Sequence, residues 1–73
     1  MTPTPFVHTP VVSSVLSSIA YSDSTLELQF RSGALYRYFT VPPAIFQALF
    51  TAPSKGTYFN RYVRNSFPHQ QVA

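Results

Sequence analysis

From residue 25 to residue 31 the chain alternates between apolar and polar side chains. Leu26, Leu28 and Phe30 fall on one side, Glu27 and Gln29 on the other, and a period of two marks a half-buried strand. Upstream, residues 17–22 predict a first strand with Ile19 and Tyr21 on one face. Ser22-Asp23-Ser24 between them is dense in residues that bond their own backbone in turns. Downstream, the Tyr36-Arg37-Tyr38 stretch predicts a third strand, and the loop before it sets which face the tyrosines take. A two-residue Ser32-Gly33 loop pairs Phe30 with Leu35 and sends Tyr36 and Tyr38 to the polar face. A three-residue Arg31-Ser32-Gly33 loop, with Gly33 at positive φ, pairs Phe30 with Ala34, Leu28 with Tyr36 and Leu26 with Tyr38. The second register is preferred: it puts both tyrosines on the apolar face and sets Glu27 opposite Arg37.

After the third strand the period changes. Pro42 and Pro43 end the strand and suit a helix start. Residues 44–52 are helical in composition with only Gln47 and Thr51 polar. That apolar arc is wider than one sheet face covers, so a second copy of the chain is expected to cover the rest. Pro53 breaks this helix and Ser54 is an N-cap for the next. On a helix from Lys55 to about Asn65, Phe59, Tyr62 and Val63 form a core stripe, with Thr57, Asn60, Arg61 and Arg64 opposite. The class is therefore α+β: a small three-stranded antiparallel sheet followed by two short helices, in the order βββαα. Residues 1–12 carry Pro3, Pro5 and Pro10 and read as an extended arm whose Phe6 and Val7 are candidates to dock on a neighbour. Residues 13–68 form the domain, and residues 69–73 read as a frayed tail.

Composition narrows the function classes. The chain has 73 residues, no cysteine and no tryptophan, so one small core forms without disulfides or thiolate metal sites. No apolar run approaches the ~18 residues of a membrane span, and a cytoplasmic protein with no membrane partner is expected. Only five Lys and Arg face two Asp and Glu, for a net charge of +3. That balance favours an anionic partner but is too sparse for a long nucleic-acid track. Five Tyr and seven Phe exceed what so small a core buries, which points to an oligomer interface or a ligand site.

The pieces, in order, resemble the KTSC domain, a short module found alone and at the C-terminus of some lysyl-tRNA synthetases. The resemblance rests on Ser13-Ser14, Ile19-Ala20-Tyr21, the Leu26, Leu28, Phe30 strand, Gly33, Tyr36-Arg37-Tyr38 and Val41-Pro42. It continues through Ala52-x-Ser54-x-Gly56 and Tyr58-Phe59-Asn60. The synthetase context implies RNA as a partner.

Catalysis finds little support in the residues. Asp23 sits in a turn, Glu27 is matched with Arg37, and His8 and His69 lie in opposite terminal segments; no metal, cofactor or enzymatic activity is expected. Anion binding is better served. Ser54-Lys55-Gly56 opens a helix whose free N–H groups favour a phosphate, and Asn60, Arg61 and Arg64 extend that site. Alternatively Ser54 is only a cap, Gly56 only eases packing, and the arginines form a solvated face. Tyr36, Tyr38 and Tyr58 offer base-stacking rings beside Arg37, or else the two strand tyrosines are core. The expectation is a non-catalytic homo-oligomeric module for a nucleotide, cyclic nucleotide or RNA, in one form a phage or bacterial protein that sequesters a nucleotide signal. An RNA-binding strand at Tyr36 and Tyr38, and an assembly module exposing Leu35, Phe39, Phe46 and Phe50, are the alternatives.

Overall fold

The computed structural model describes residues 6–73; the first five residues of the arm, with Pro3 and Pro5, lie outside them. Five strands are present: β1 (Thr9–Pro10), β2 (Leu16–Ser22), β3 (Thr25–Phe30), β4 (Leu35–Tyr38) and β5 (His69–Gln71). They form one antiparallel sheet in the order β1-β2-β3-β4-β5. Helix α1 (Pro43–Thr51) and helix α2 (Lys55–Tyr58) lie between β4 and β5, and α2 runs on into a π-helical turn at Phe59–Val63.

The expected three-stranded sheet is thus corrected to five strands. Both added strands come from segments read as arm and tail. Proline at the outer strand is tolerated because an edge position does not require its missing N–H. On the other side, β4 would present a row of unpaired backbone groups without β5. They are taken up by the C-terminal segment: Leu35 N–H donates to the Ala73 carbonyl (3.0 Å) and Val72 N–H to the Leu35 carbonyl (2.8 Å).

The central hairpin has the three-residue register. Leu26 faces Tyr38, Glu27 faces Arg37 and Leu28 faces Tyr36, and Gly33 takes φ +98°. The β2–β3 link is tighter still, because Asp23 and Ser24 both adopt positive φ, the two-residue turn that matches strand twist. A bulge at Ser17 shifts the β2 register between Leu16 and Ser18, and Leu16 is fully buried.

The helices cover one face of the sheet. Leu16, Ile19, Leu26, Leu28 and Tyr38 pack there with Val41, Leu49, Phe59 and Val63. Helix α1 fully buries only Leu49. Phe46 stacks on Tyr21, with centroids 4.6 Å apart and planes at 7°, and Phe50 is exposed. The second helix departs from its expected course at Phe59, where Arg64 N–H reaches back to the Phe59 carbonyl at 2.9 Å. This wider turn keeps Phe59 and Val63 buried. It leaves Tyr62, expected in the core, 47% exposed and resting on Tyr58. Among the described residues, no helix is long and apolar enough to cross a membrane.

Candidate functional site

Between β4, β5 and the π-helical turn lies an open groove of about 550 Å3. Its floor comes from the period-two strand: Tyr36 and Tyr38 point to the helix side of β4 and run parallel, 6.4 Å between centroids. Phe59 closes it from the helical side, edge-on to Tyr38 at 5.6 Å and to Phe30 at 5.3 Å. His69 of β5, opposite Tyr38 in the ladder, lies over Tyr38 at 5.1 Å and 29° and beside Tyr36 at 6.2 Å. Asn60, Arg64 and Asn65 line the groove from the π-helical turn and the residues after it, and Ser32 lines it from the hairpin.

The electrostatics of this groove are simple. Among the described residues, neither Asp23 nor Glu27 lines it, and the Arg64 guanidinium has no hydrogen-bond or ion-pair partner. Burial pushes the Tyr38 phenol above its ordinary pKa; the neighbouring Tyr36 adds to the rise and the Arg64 guanidinium opposes it. Tyr38 is therefore a neutral donor within the field of an uncompensated cation. Tyr36 spends its hydroxyl on Gln71, donating to Oε1 at 3.2 Å.

The residues singled out in the sequence divide among three places. Tyr36, Tyr38, Asn60 and Arg64 meet in the groove. Ser54, Tyr58 and Arg61 line a separate shallow apolar depression of about 280 Å3 with Tyr62. Arg37 is on the far face of the sheet, its Nε donating to Glu27 Oε2 at 2.6 Å.

The Ser54-Lys55-Gly56 segment has local partners. The Ser54 hydroxyl accepts from Thr57 N–H at 3.4 Å and donates to Thr57 Oγ1 at 2.9 Å. Lys55 Nζ donates to the Ala52 carbonyl at 3.1 Å, at the end of α1. Gly56 is buried, and a Cβ there would stand 2.7 Å from Val15 Cγ2. Val15 occupies the space that a Cβ at Gly56 would take.

Sequence reading missed His69 and Asn65. The one signal for His69 was indirect: a strand as apolar as β4 needs a neighbour on each side, and the C-terminal segment is the free chain nearest in sequence after the helices.

Comparison with known proteins agrees with this architecture. A solved KTSC domain protein from Yersinia pestis superposes with a TM-score of 0.87 at 34% identity, covering 93% of this chain and 99% of that one. A lysine–tRNA ligase of Nostoc punctiforme is 39% identical over 62 residues, which is 82% of this chain but only 11% of the ligase. The chain thus spans about a tenth of such relatives. A protein of Stutzerimonas stutzeri with no described function is 51% identical over 51 residues, 67% of this chain and 72% of that protein. The family model for the KTSC domain matches residues 12–67, and the chain belongs to the KTSC domain family.

Proposed function

We propose that the chain is a non-catalytic binding module for a phosphate-bearing nucleotide held in the groove between β4, β5 and the π-helical turn. The observation that carries this reading is the union, in one groove, of a ring wall and an unpaired guanidinium. A base lies against Tyr36 and His69, the accessible rings of the wall, with the buried Tyr38 behind them; stacking on aromatic side chains contributes about 1–3 kcal/mol per base. Its phosphate turns to Arg64, whose planar fork suits two phosphate oxygens, and the Asn60 and Asn65 amides offer both donors and acceptors to a base edge or sugar. The volume suits about one or two nucleotides rather than an extended strand. Among the described residues no Asp or Glu side chain lines the groove beside His69, which suits binding without turnover. The reading extends to a cytoplasmic homo-oligomer that sequesters a nucleotide signal, as a phage or bacterial protein does; the exposed Phe50 face of α1 supports association.

RNA is the second reading, favoured by the lysine–tRNA ligases among the relatives. It places a nucleotide of a single strand in the same groove.

Native mass spectrometry of the purified protein tests the first reading, with the 260 nm to 280 nm absorbance ratio beside it. A chain without tryptophan makes a co-purified nucleotide conspicuous. Titration with AMP, a cyclic dinucleotide and a short single-stranded RNA then separates the two. Arg64→Ala is expected to weaken binding of the preferred ligand by about tenfold or more with melting temperature unchanged. Equal affinity in Arg64→Ala and the parent would refute the reading.

A further inference from the structure

The face of the sheet turned away from the helices carries a second cluster, which the groove does not use. Glu27 is 4% exposed, and both its carboxylate oxygens are held: Oε1 by His8 Nε2 and Oε2 by Arg37 Nε, each at 2.6 Å. The His8 ring is fixed from its other side, with Nδ1 2.7 Å from Ser18 Oγ, while Ser18 donates to Gln29 Oε1 at 3.2 Å. The Arg37 guanidinium lies 4.9 Å from the centre of the Phe6 ring. These contacts belong to two parts. Ser18, Glu27, Gln29 and Arg37 form a cradle on β2, β3 and β4. Phe6 and His8, two residues apart, come from the segment that continues into β1, which pairs with the β2 edge at Thr9–Ile19 and Pro10–Ser18. A strand added to a sheet edge with alternate side chains in fitted places is how sheets take up extended peptides. The whole cradle lies inside the family-matched residues 12–67, and its occupant lies outside them.

We propose that this cradle also accepts the same segment from a second copy of the chain, in reciprocal exchange. Each copy's Phe6 and His8 then complete the Glu27–Arg37 site of the other. Every contact between segment and cradle is remade across the pair, so exchange of an identical element costs little at equilibrium. The connection between β1 and β2 is the hinge: Val12 is 97% exposed. What opens there is a small turn, in which the Ser13 hydroxyl accepts from Val15 and Leu16 N–H at 3.1 Å each and the Ser13 carbonyl accepts from Arg31 Nη1 at 3.2 Å. The buried carboxylate decides which occupant follows. Leaving Glu27 with a lost partner exposes it to the cost of an under-satisfied buried charge, so a displaced segment is replaced by one with the same aromatic-x-His spacing. A second copy carries that spacing by identity.

Two full-length variants divide the site. Glu27→Gln removes the anion and keeps the segment; His8→Ala removes the imidazole and keeps the cradle. The probe is a fluorescent peptide of residues 6–12. It is expected to bind the His8→Ala chain about tenfold or more tighter than the parent, whose own segment competes as a tethered rival. It is expected not to bind Glu27→Gln. An equimolar mixture of the two variants should give a heterodimer by native mass spectrometry in excess of either homodimer, because only that pair has an intact segment for an intact cradle. Circular dichroism checks that both variants keep the sheet. Ser18→Ala, which removes the Nδ1 contact and the bond to Gln29 but leaves the Glu27–Arg37 pair, is the milder variant and should show intermediate peptide affinity. Equal peptide binding to all the chains overturns the proposal, as does equal binding by a peptide carrying Ala in place of His8, or a mixture that yields no heterodimer.

Discussion

The two faces of the sheet are closed by opposite means. On the helix side, Leu16, Ile19, Leu26, Leu28, Val41, Leu49 and Val63 are withdrawn from water almost completely, and closure comes from apolar area, at about 25 cal/mol per Å2. On the far side closure comes from one carboxylate with a partner on each oxygen. The first kind tolerates change of shape poorly and change of pH well. The second is the reverse. The contrast also explains where the sparse charge goes. Glu27 and Arg37 neutralise each other on the far face, and Arg64 is left as an unpaired cation on the helix side.

That contrast can be broken from either side. The largest effect is expected for Leu28→Ala, about 2–5 kcal/mol in urea unfolding, for a fully buried side chain whose neighbours cannot collapse onto the gap. Glu27→Ala should cost about 2 kcal/mol, the scale of hydrogen bonds to a charged group. In that background Arg37→Ala should cost almost nothing more, a non-additivity that a double-mutant cycle measures. A Leu28→Ala loss smaller than the Glu27→Ala loss would reverse the ranking of the two faces.

The far face alone should respond to acid. Burial raises the Glu27 pKa, but hydrogen bonds from His8 and Arg37, with their charges, outweigh it and hold it below the ordinary 4.5. A depressed folded value contributes stability that is complete above the unfolded value near 4.5 and is lost as pH falls through the folded one. The stability contributed by Glu27 ionisation should therefore begin to fall as pH drops below about 4.5 and decline further through the folded value. Glu27→Ala should flatten that part of the decline.

Smaller effects sharpen the assignment of the helix side. Gly56→Ala should cost about 1–2 kcal/mol through overpacking against Val15, and Val15→Ala in the same chain should recover part of it. A ligand-approach role for Gly56 would show no such rescue. The smallest change belongs to Arg64→Ala, within about 0.5 kcal/mol by thermal melting, as for an exposed side chain without a partner.

Much of the centre was legible because its signals were local. Alternation in β3, the glycine after Phe30 and the Glu27–Arg37 match are enough to identify the hairpin register. The helices were legible from their prolines and the Ser54 cap. The edges were not. Thr9-Pro10 and His69-Gln70-Gln71 hold one β-former, Thr9, and no alternation, and they are strands because β2 and β4 present unpaired backbone groups to them. The groove was half legible for the same reason. Tyr36, Tyr38, Asn60 and Arg64 were identified by type, but periodicity does not bring strand and helix residues together, and His69 depends on β5. At the helix opening, the local acceptors of the Ser54 and Lys55 donors were not legible; Lys55 turns back to Ala52. Tyr62 was assigned to the core on a regular helical period, which the widened turn at Phe59 breaks.

Strand order also fixes the order in which the chain can assemble. The β2–β3 and β3–β4 pairs join neighbours in sequence through tight turns, whereas β5 reaches β4 only across the whole helical segment. Closing that long loop carries the larger entropic cost, and contacts of high sequence separation form late. We expect transition-state φ-values to be high in the β2–β4 meander and near zero at His69. Amide exchange in the native chain should show β5 opening more readily than the β2–β4 meander. A molecule bridging Tyr38 and His69 would then act as a latch on the last-formed seam, slowing unfolding while leaving the rate of refolding almost untouched.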